Sequence, residues 1–368
     1  MTAETAGFTE LHEELREVAR DLLGRTAAEA APDWRAIAGS GWLGLEAPEP
    51  LDGAGATFAE VALVLREMGR AAARGPYPAV AVLGVGALGL LESSPGRDLL
   101  FRETVAGTAV PAVALEGEAV EGVPFRIGRT ARGPLLYGTA AFVRDAPGAD
   151  RLLLPALDPD GTPVVVEAAP DAPGLEVAEQ PVVDETRRFG LVTAHGVEAR
   201  PDAVRRFRGD PKAAVRRLHE RAAVAVACDS LGLSEAMLEA TVAYAGVREQ
   251  FGRAIGSFQA VKHACADMFV QVKVAGKLVD GAVRVQAEGR DDGGVAAAMA
   301  KSYACAAAVE VAGKAMQLHG GMGYTWESGV HVHLKRAVLN RALSGSPAAH
   351  RGRLAERYPP LARERADA

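Results

Sequence analysis

Arg248-Glu-Gln-Phe-Gly-Arg-Ala-Ile-Gly-Ser-Phe-Gln259 and Gln317-Leu-His-Gly-Gly-Met-Gly-Tyr-Thr-Trp-Glu327 punctuate a tract that contains no proline between Lys212 and Ser346. Proline costs about 3 kcal/mol inside a helix, so a long, proline-free, alanine-rich stretch predicts long helices. Glycines mark where they break, and the spacing predicts helices over 215–247, 259–289, 293–319 and 329–342. The two quoted segments therefore join helices of one bundle.

Working outward, eleven prolines from Pro111 to Pro201 crowd the region before the bundle. Runs such as Arg151-Leu-Leu-Leu154 and Pro163-Val-Val-Val-Glu167 are short, β-branched or leucine-rich and bounded by turn residues, which predicts strands. Residues 1–104 return to helical spacing, with Leu11, Leu15, Val18 and Leu22 on one face. The chain reads as α+β: an N-terminal helical domain over 1–104, a middle β domain over 105–203 and a C-terminal four-helix bundle within 204–368.

A chain of 368 residues with 49% hydrophobic content is long and apolar enough for two or three cored domains. A net charge of −6, with acidic and basic residues interleaved, gives no footprint for nucleic acid. Cys228, Cys265 and Cys305 lie in alanine-rich surroundings without metal-like spacing, and read as buried small hydrophobes in a reducing compartment. His331 and His333, two apart on a helix, point to different faces, so no metal site is expected. The acidic N-terminus lacks the order of a signal peptide, and the apolar run 79–91 is short and broken by glycine. A cytoplasmic protein without a membrane partner is expected.

Arg248 and the Gly320-Gly321-Met-Gly323 turn are residue types that a pyrophosphate site uses: a fixed guanidinium and a backbone that a ligand can approach closely. The same residues read equally as a solvated arginine and a helix C-cap. Taken in order on a helical scaffold, the two segments resemble the most characteristic stretches of the acyl-CoA dehydrogenase family. The resemblance implies FAD as cofactor. It implies that Arg248, Phe251 and Gln259 touch the FAD of one subunit, while Gln317, Gly320 and Gly321 close over the pyrophosphate bound by a neighbour. A dimer is then the smallest complete flavin site. Trp42-Leu-Gly-Leu45, Glu67-Met-Gly-Arg70 and Leu136-Tyr-Gly138 are also similar to family segments. The similarity fails beside the flavin ring: where the family carries Thr-Glu-Pro-x-x-Gly-Ser-Asp, this chain reads Leu115-Glu-Gly-Glu-Ala-Val-Glu-Gly-Val123, and its β domain has no tryptophan.

The family's reaction removes the α-proton of an acyl thioester while hydride leaves the β-carbon for the flavin, so a carboxylate must reach Cα. Most members place a glutamate at the position that is Ser344 here. A minority place it ten residues before a glycine; that glycine is Gly232 here, and the position is Ala222. Neither residue is a carboxylate. Glu220 is close in sequence but about 200° around the helix from Ala222. It reads as a relocated base or as a solvated charge, and Asp229 as a buried polar group satisfied locally or as a pocket residue. Glu327 belongs to the second motif and reads as structural.

Three functions fit these observations. The first is a subunit of a heteromeric acyl-CoA or acyl-ACP dehydrogenase, an arrangement the family uses for bulky sterol-type thioesters, with the base on a paralogous partner. The second is a self-sufficient flavoenzyme, with a relocated base or as a flavin monooxygenase on the same fold. The third is a non-catalytic scaffold protein. A homo- or hetero-oligomer is expected in each enzymatic case.

Overall fold

The computed structural model describes residues 3–24, 34–131, 133–290 and 292–357, with side chains from residue 11 onward and that of Trp326 excepted. The chain opens with α1 (Ala3–Gly24), α2 (Trp34–Gly39) and α3 (Phe58–Arg70), then a π-helix over Pro78–Gly84 that runs into α4 (Val85–Leu90), then α5 (Pro95–Val105). α3 begins at a capping box, in which the Thr57 hydroxyl accepts from Ala59 N–H and Glu60 accepts from Thr57 N–H at 2.8 Å. Of the face that α1's spacing predicts to be inward, Leu15 and Leu22 pack against the core, but the helix is rotated so that Leu11 and Val18 turn outward. Ala19 and Leu23 are buried, whereas Leu11 and Val18 are each 53% exposed. Arg20 seats the helix by donating two bonds of 3.0 Å to the buried Glu67 carboxylate, and so sets its rotation.

Eight strands follow: β1 (Pro111–Val113), β2 (Phe125–Thr130), β3 (Gly133–Arg144), β4 (Arg151–Leu157), β5 (Pro163–Ala168), β6 (Leu175–Glu179), β7 (Phe189–Glu198) and β8 (Val204–Arg206). They form one sheet in the order β6-β7-β3-β2-β4-β5-β8, with β1 parallel to β4. β4 is buried on both faces, which explains its unbroken apolar run. Leu152 and Leu154 enter the core of the sheet itself, whereas Leu153, with Val113 and Val165, packs toward the helices.

The rest is helical: α6 (Pro211–Val247), a hairpin of β9 (Glu249–Gln250) and β10 (Arg253–Ala254), α7 (Gln259–Ala287), α8 (Gly293–His319), α9 (Val330–Ala342) and α10 (Pro347–Arg357). α6 starts four residues before its predicted start because Asp210 caps Lys212 N–H at 2.9 Å and Pro211 fits the first turn. α10 extends the bundle beyond the four predicted helices, starting where the Ser346 hydroxyl accepts from Ala349 N–H. α8 is apolar along its length because α6, α7, α9 and α10 all pack on it. Cys228 and Cys305 are buried in this bundle, but Cys265 is only half-buried, near the start of α7.

α3 and α6 cross at two glycines. A Cβ on Gly69 would stand 2.0 Å from the Asp229 carbonyl oxygen, and one on Gly232 would stand 1.8 Å from that of Arg66. The close crossing fixes the middle of α6, and with it Asp229, against the N-terminal helices.

Candidate functional site

The two motif segments lie together at one end of the bundle, because Tyr244 near the end of α6 stacks on His319 at the end of α8, with ring centroids 4.5 Å apart. Between β9 and β10, Phe251 and Gly252 have φ of 53° and 74°, the pattern of a two-residue hairpin turn that favours asparagine-glycine. A phenylalanine held in that conformation costs on the order of 1 kcal/mol. Its ring meets Phe258 edge-on at 6.2 Å and is 92% exposed, so intrachain packing does little to offset the strain. Arg248, Gln259 and Gln317 are also exposed. Gly320 has φ 60° and ψ −137°, which a side chain would resist. Gly321 has neither a positive φ nor a neighbour within 4 Å of where a Cβ would stand, so packing within the chain does not require glycine there. An outward guanidinium, an outward aromatic ring and a bare glycine turn fit a nucleotide pyrophosphate approaching from outside.

Ser344 and Ala222 line a single cavity at the boundary of sheet and bundle, together with Glu116, Phe142, Arg144 and Asp229. The structure thus brings together the two alternative base positions. Its volume of about 50 Å³ is several-fold below the roughly 300 Å³ at which ligand pockets begin. Neither an isoalloxazine ring nor an acyl chain fits. The 115–123 loop narrows it. Ser344 N–H donates to Gly117 C=O at 2.6 Å, His219 bonds Gly122 C=O at 2.9 Å, and Arg353 reaches Val120 C=O at 3.4 Å. Gly117 presses on the sheet, where a Cβ would stand 2.2 Å from Phe142 C=O.

The Ser344 turn is itself fastened. Ser344 and Gly345 have φ of 54° and 86°, Ser344 C=O accepts from His350 Nε2 at 2.7 Å, and Gly345 C=O accepts from the buried Lys301 amine at 2.8 Å. Burial pulls His350 down to about 4, which keeps the ring neutral and lets Nε2–H donate. Burial also lowers Lys301 from the usual amine range.

Both carboxylates of the lining are hydrogen-bonded, and Asp229 is fully occupied. Asp229 accepts from Arg187 Nη2 at 2.6 Å, from Arg336 Nε at 3.0 Å and Nη2, and from Asn340 Nδ2 at 2.6 Å. Burial pushes its carboxyl up, but Arg187 and Arg336 outweigh that and hold it well below the usual carboxylate range. It is at once a locally satisfied polar group and part of the cavity wall. Glu116 accepts from Ala141 N–H at 2.9 Å. Arg144 lies over the Phe189 ring at 5.5 Å, its guanidinium pulled down to about 9 by burial and then by Arg187. This narrow, cationic lining does not fit a flavin ring. Glu220 lies elsewhere, in a second cleft of about 300 Å³ beside Arg217, Arg221 and Gln286, where burial raises its carboxyl.

A helical cap, a central sheet and a long-helix bundle, with an exposed arginine and glycine turn at the bundle end and a cavity between sheet and bundle, define a flavoprotein dehydrogenase scaffold. Residues 9–92 match the acyl-CoA dehydrogenase N-terminal domain and 212–358 the acyl-CoA dehydrogenase C-terminal domain. The chain belongs to the acyl-CoA dehydrogenase family, whose members are FAD-binding flavoproteins. It is 34% identical to acyl-CoA dehydrogenase FadE27 of Mycobacterium tuberculosis, over 85% of this chain and 84% of that one. It is 33% identical to acyl-CoA dehydrogenase FadE34 of the same organism over 83% of its own length, but spans only 39% of that relative. Among solved structures, the ChsE4-ChsE5 complex from Mycobacterium tuberculosis contains a chain that superposes with a TM-score of 0.86 at 27% identity, covering 96% of this chain and 98% of that one.

Proposed function

We propose that this chain is the base-lacking subunit of a heteromeric, cytoplasmic acyl-CoA dehydrogenase acting on a bulky acyl-CoA or acyl-ACP thioester. A paralogous partner supplies the glutamate and the ring pocket. This chain lends Arg248, Phe251, Gln259, Gln317, Gly320 and Gly321 to the nucleotide half of FAD held mainly by that partner. The carrying observation is the contrast within one chain: the gripping residues face outward and open, while the cavity holding both base positions is closed by the Ser344–Gly117 bond and lined with arginine.

Surface chemistry supports the reading. Phe251, Val247 at 78% and Tyr324 at 74% exposure surround the grip, and Phe269, Val270 and Val274 form a further apolar strip on α7. Such patches are what a subunit interface covers. The ChsE4-ChsE5 neighbour is a complex of two differently named chains, which favours the same arrangement here. FAD, when bound, accepts the hydride from the β-carbon. The role of this chain is then to neutralise the pyrophosphate with Arg248 and to exclude water from that side of the nucleotide. Glu220 opens on a different cleft from Ser344 and Ala222, which weighs against a relocated base.

Anaerobic titration with acyl-CoA thioesters tests the proposal. The chain mixed with a base-bearing paralogue from the same genome is expected to bleach its flavin, and the chain alone to leave added FAD oxidised. Bleaching by the chain alone would contradict it.

A further inference from the structure

We propose that the cavity beside Ser344 is a binding site for one small carboxylate anion, gripped by Arg144 and Arg187 in the space that is closed to flavin. Such a site works with or without a partner subunit.

Three enclosed nitrogens of the lining arginines have no hydrogen-bond partner among the described residues: Arg144 Nη1, Arg187 Nε and Arg187 Nη1. Arg187 is only 8% exposed, so bulk water does not supply what is missing. A guanidinium can only donate, and leaving charged donors unpaired in an enclosed space is strongly unfavourable. The remaining unpartnered atom of the lining, Asn340 Oδ1, is an acceptor, which leaves three donor nitrogens against one acceptor.

Among the described residues, Asp229 is the one carboxylate that bonds either arginine, through Arg187 Nη2. Asp229 already takes four bonds from Arg187, Arg336 and Asn340. Asp184 Oδ1 takes the Thr186 N–H at 2.9 Å and its hydroxyl at 2.6 Å, and its buried Oδ2 makes no hydrogen bond to either arginine among the described residues. Glu116 Oε2 takes Ala141 N–H, and Arg144 forms no ion pair within 4.0 Å among the described residues. Asp145, next to Arg144 in the chain, is pushed up to about 6 by burial and makes no hydrogen bond or ion pair to either arginine among the described residues.

Size and shape select the anion. A volume of about 50 Å³, at roughly 10–15 Å³ for each water-sized occupant, admits about three to five heavy atoms. That suits formate or acetate. The planar fork of a guanidinium matches the two oxygens of a carboxylate, which a spherical halide cannot reproduce. Leu65, Val82 and Leu83 on the far wall offer an apolar seat for a methyl group.

The test is calorimetric titration of the full chain with formate, acetate and chloride at constant ionic strength. Saturable binding of formate or acetate is expected, at least about tenfold tighter than chloride. Arg144→Leu removes a guanidinium that has no ion pair and should weaken carboxylate binding by about tenfold with the fold retained. Arg187→Lys keeps the charge facing Asp229 but loses the fork, and is expected to weaken it similarly, which provides a second reading should Arg144→Leu fail to fold. Absence of saturable binding, equal affinity for chloride, or unchanged binding in a folded variant would each overturn the proposal.

Discussion

The bundle end and the cavity beside Ser344 differ in what their residues face: solvent at the bundle end, one another at the cavity. At the bundle end, Arg248, Phe251 and Gln317 point outward, and the turn at Phe251 carries backbone strain that packing within the chain does little to relieve. At the cavity, Ser344 N–H, Gly117 C=O, Asp229 and three arginines are drawn together until little space remains. Gripping a pyrophosphate takes exposed donors and bare glycines, which a fold can keep without deforming its core. A ring pocket needs empty volume, and empty volume is what side chains and a loop fill when nothing holds it open.

The largest effect should come from the filled side. Asp229→Ala leaves Arg187 and Arg336 buried without their shared carboxylate and is expected to cost about 3–5 kcal/mol in denaturant unfolding. A loss below about 1 kcal/mol would mean the cluster is not what holds sheet, α6 and α9 together. On the open side, Arg248→Ala should lower FAD affinity of the assembled complex by about tenfold while leaving unfolding of the chain unchanged. Equal flavin content in variant and parent would remove Arg248 from the grip.

A pH effect sharpens the account of the closed loop. His350 has a folded pKa of about 4 against an ordinary 6.5, so the unfolded chain binds the proton more readily between those values. Its contribution to stability is therefore complete above about pH 6.5 and is lost as pH falls toward about 4, a change on the order of 1–3 kcal/mol. His350→Gln should flatten stability over that window, and an unaltered slope would show that the histidine does not latch the Ser344 turn. The smallest effect is expected from Ser344→Glu. A carboxylate placed there faces a cavity with no room for ring or thioester, so flavin reduction by the chain alone should stay at zero, and any turnover would show that the loop opens.

The bundle was readable because it rests on local chemistry. The absence of proline after Lys212 and the glycine breaks located α7, α8 and α9 within a few residues, and Ser346-Pro347 carried an unread start signal for α10. The altered ring region was visible as the mismatch over Leu115–Val123. How it is filled was not visible, because the cluster is assembled from distant parts of the chain: Arg144 ends β3, Arg187 precedes β7, Asp229 sits mid-α6 and Arg336 is on α9. No sequence spacing links them. The crossing at Gly69 and Gly232 is likewise tertiary, since each glycine answers a carbonyl on the other helix. The orientation of α1 followed an ion pair to Glu67 that helical periodicity does not encode.

The most direct measurement is flavin stoichiometry. The chain should be purified alone and together with a base-bearing paralogue, with FAD quantified from the visible spectrum and subunits counted by native mass. The account predicts colourless protein alone and one FAD for each pair of unlike subunits in the complex. A yellow homo-oligomer with one FAD in every copy of this chain would contradict it.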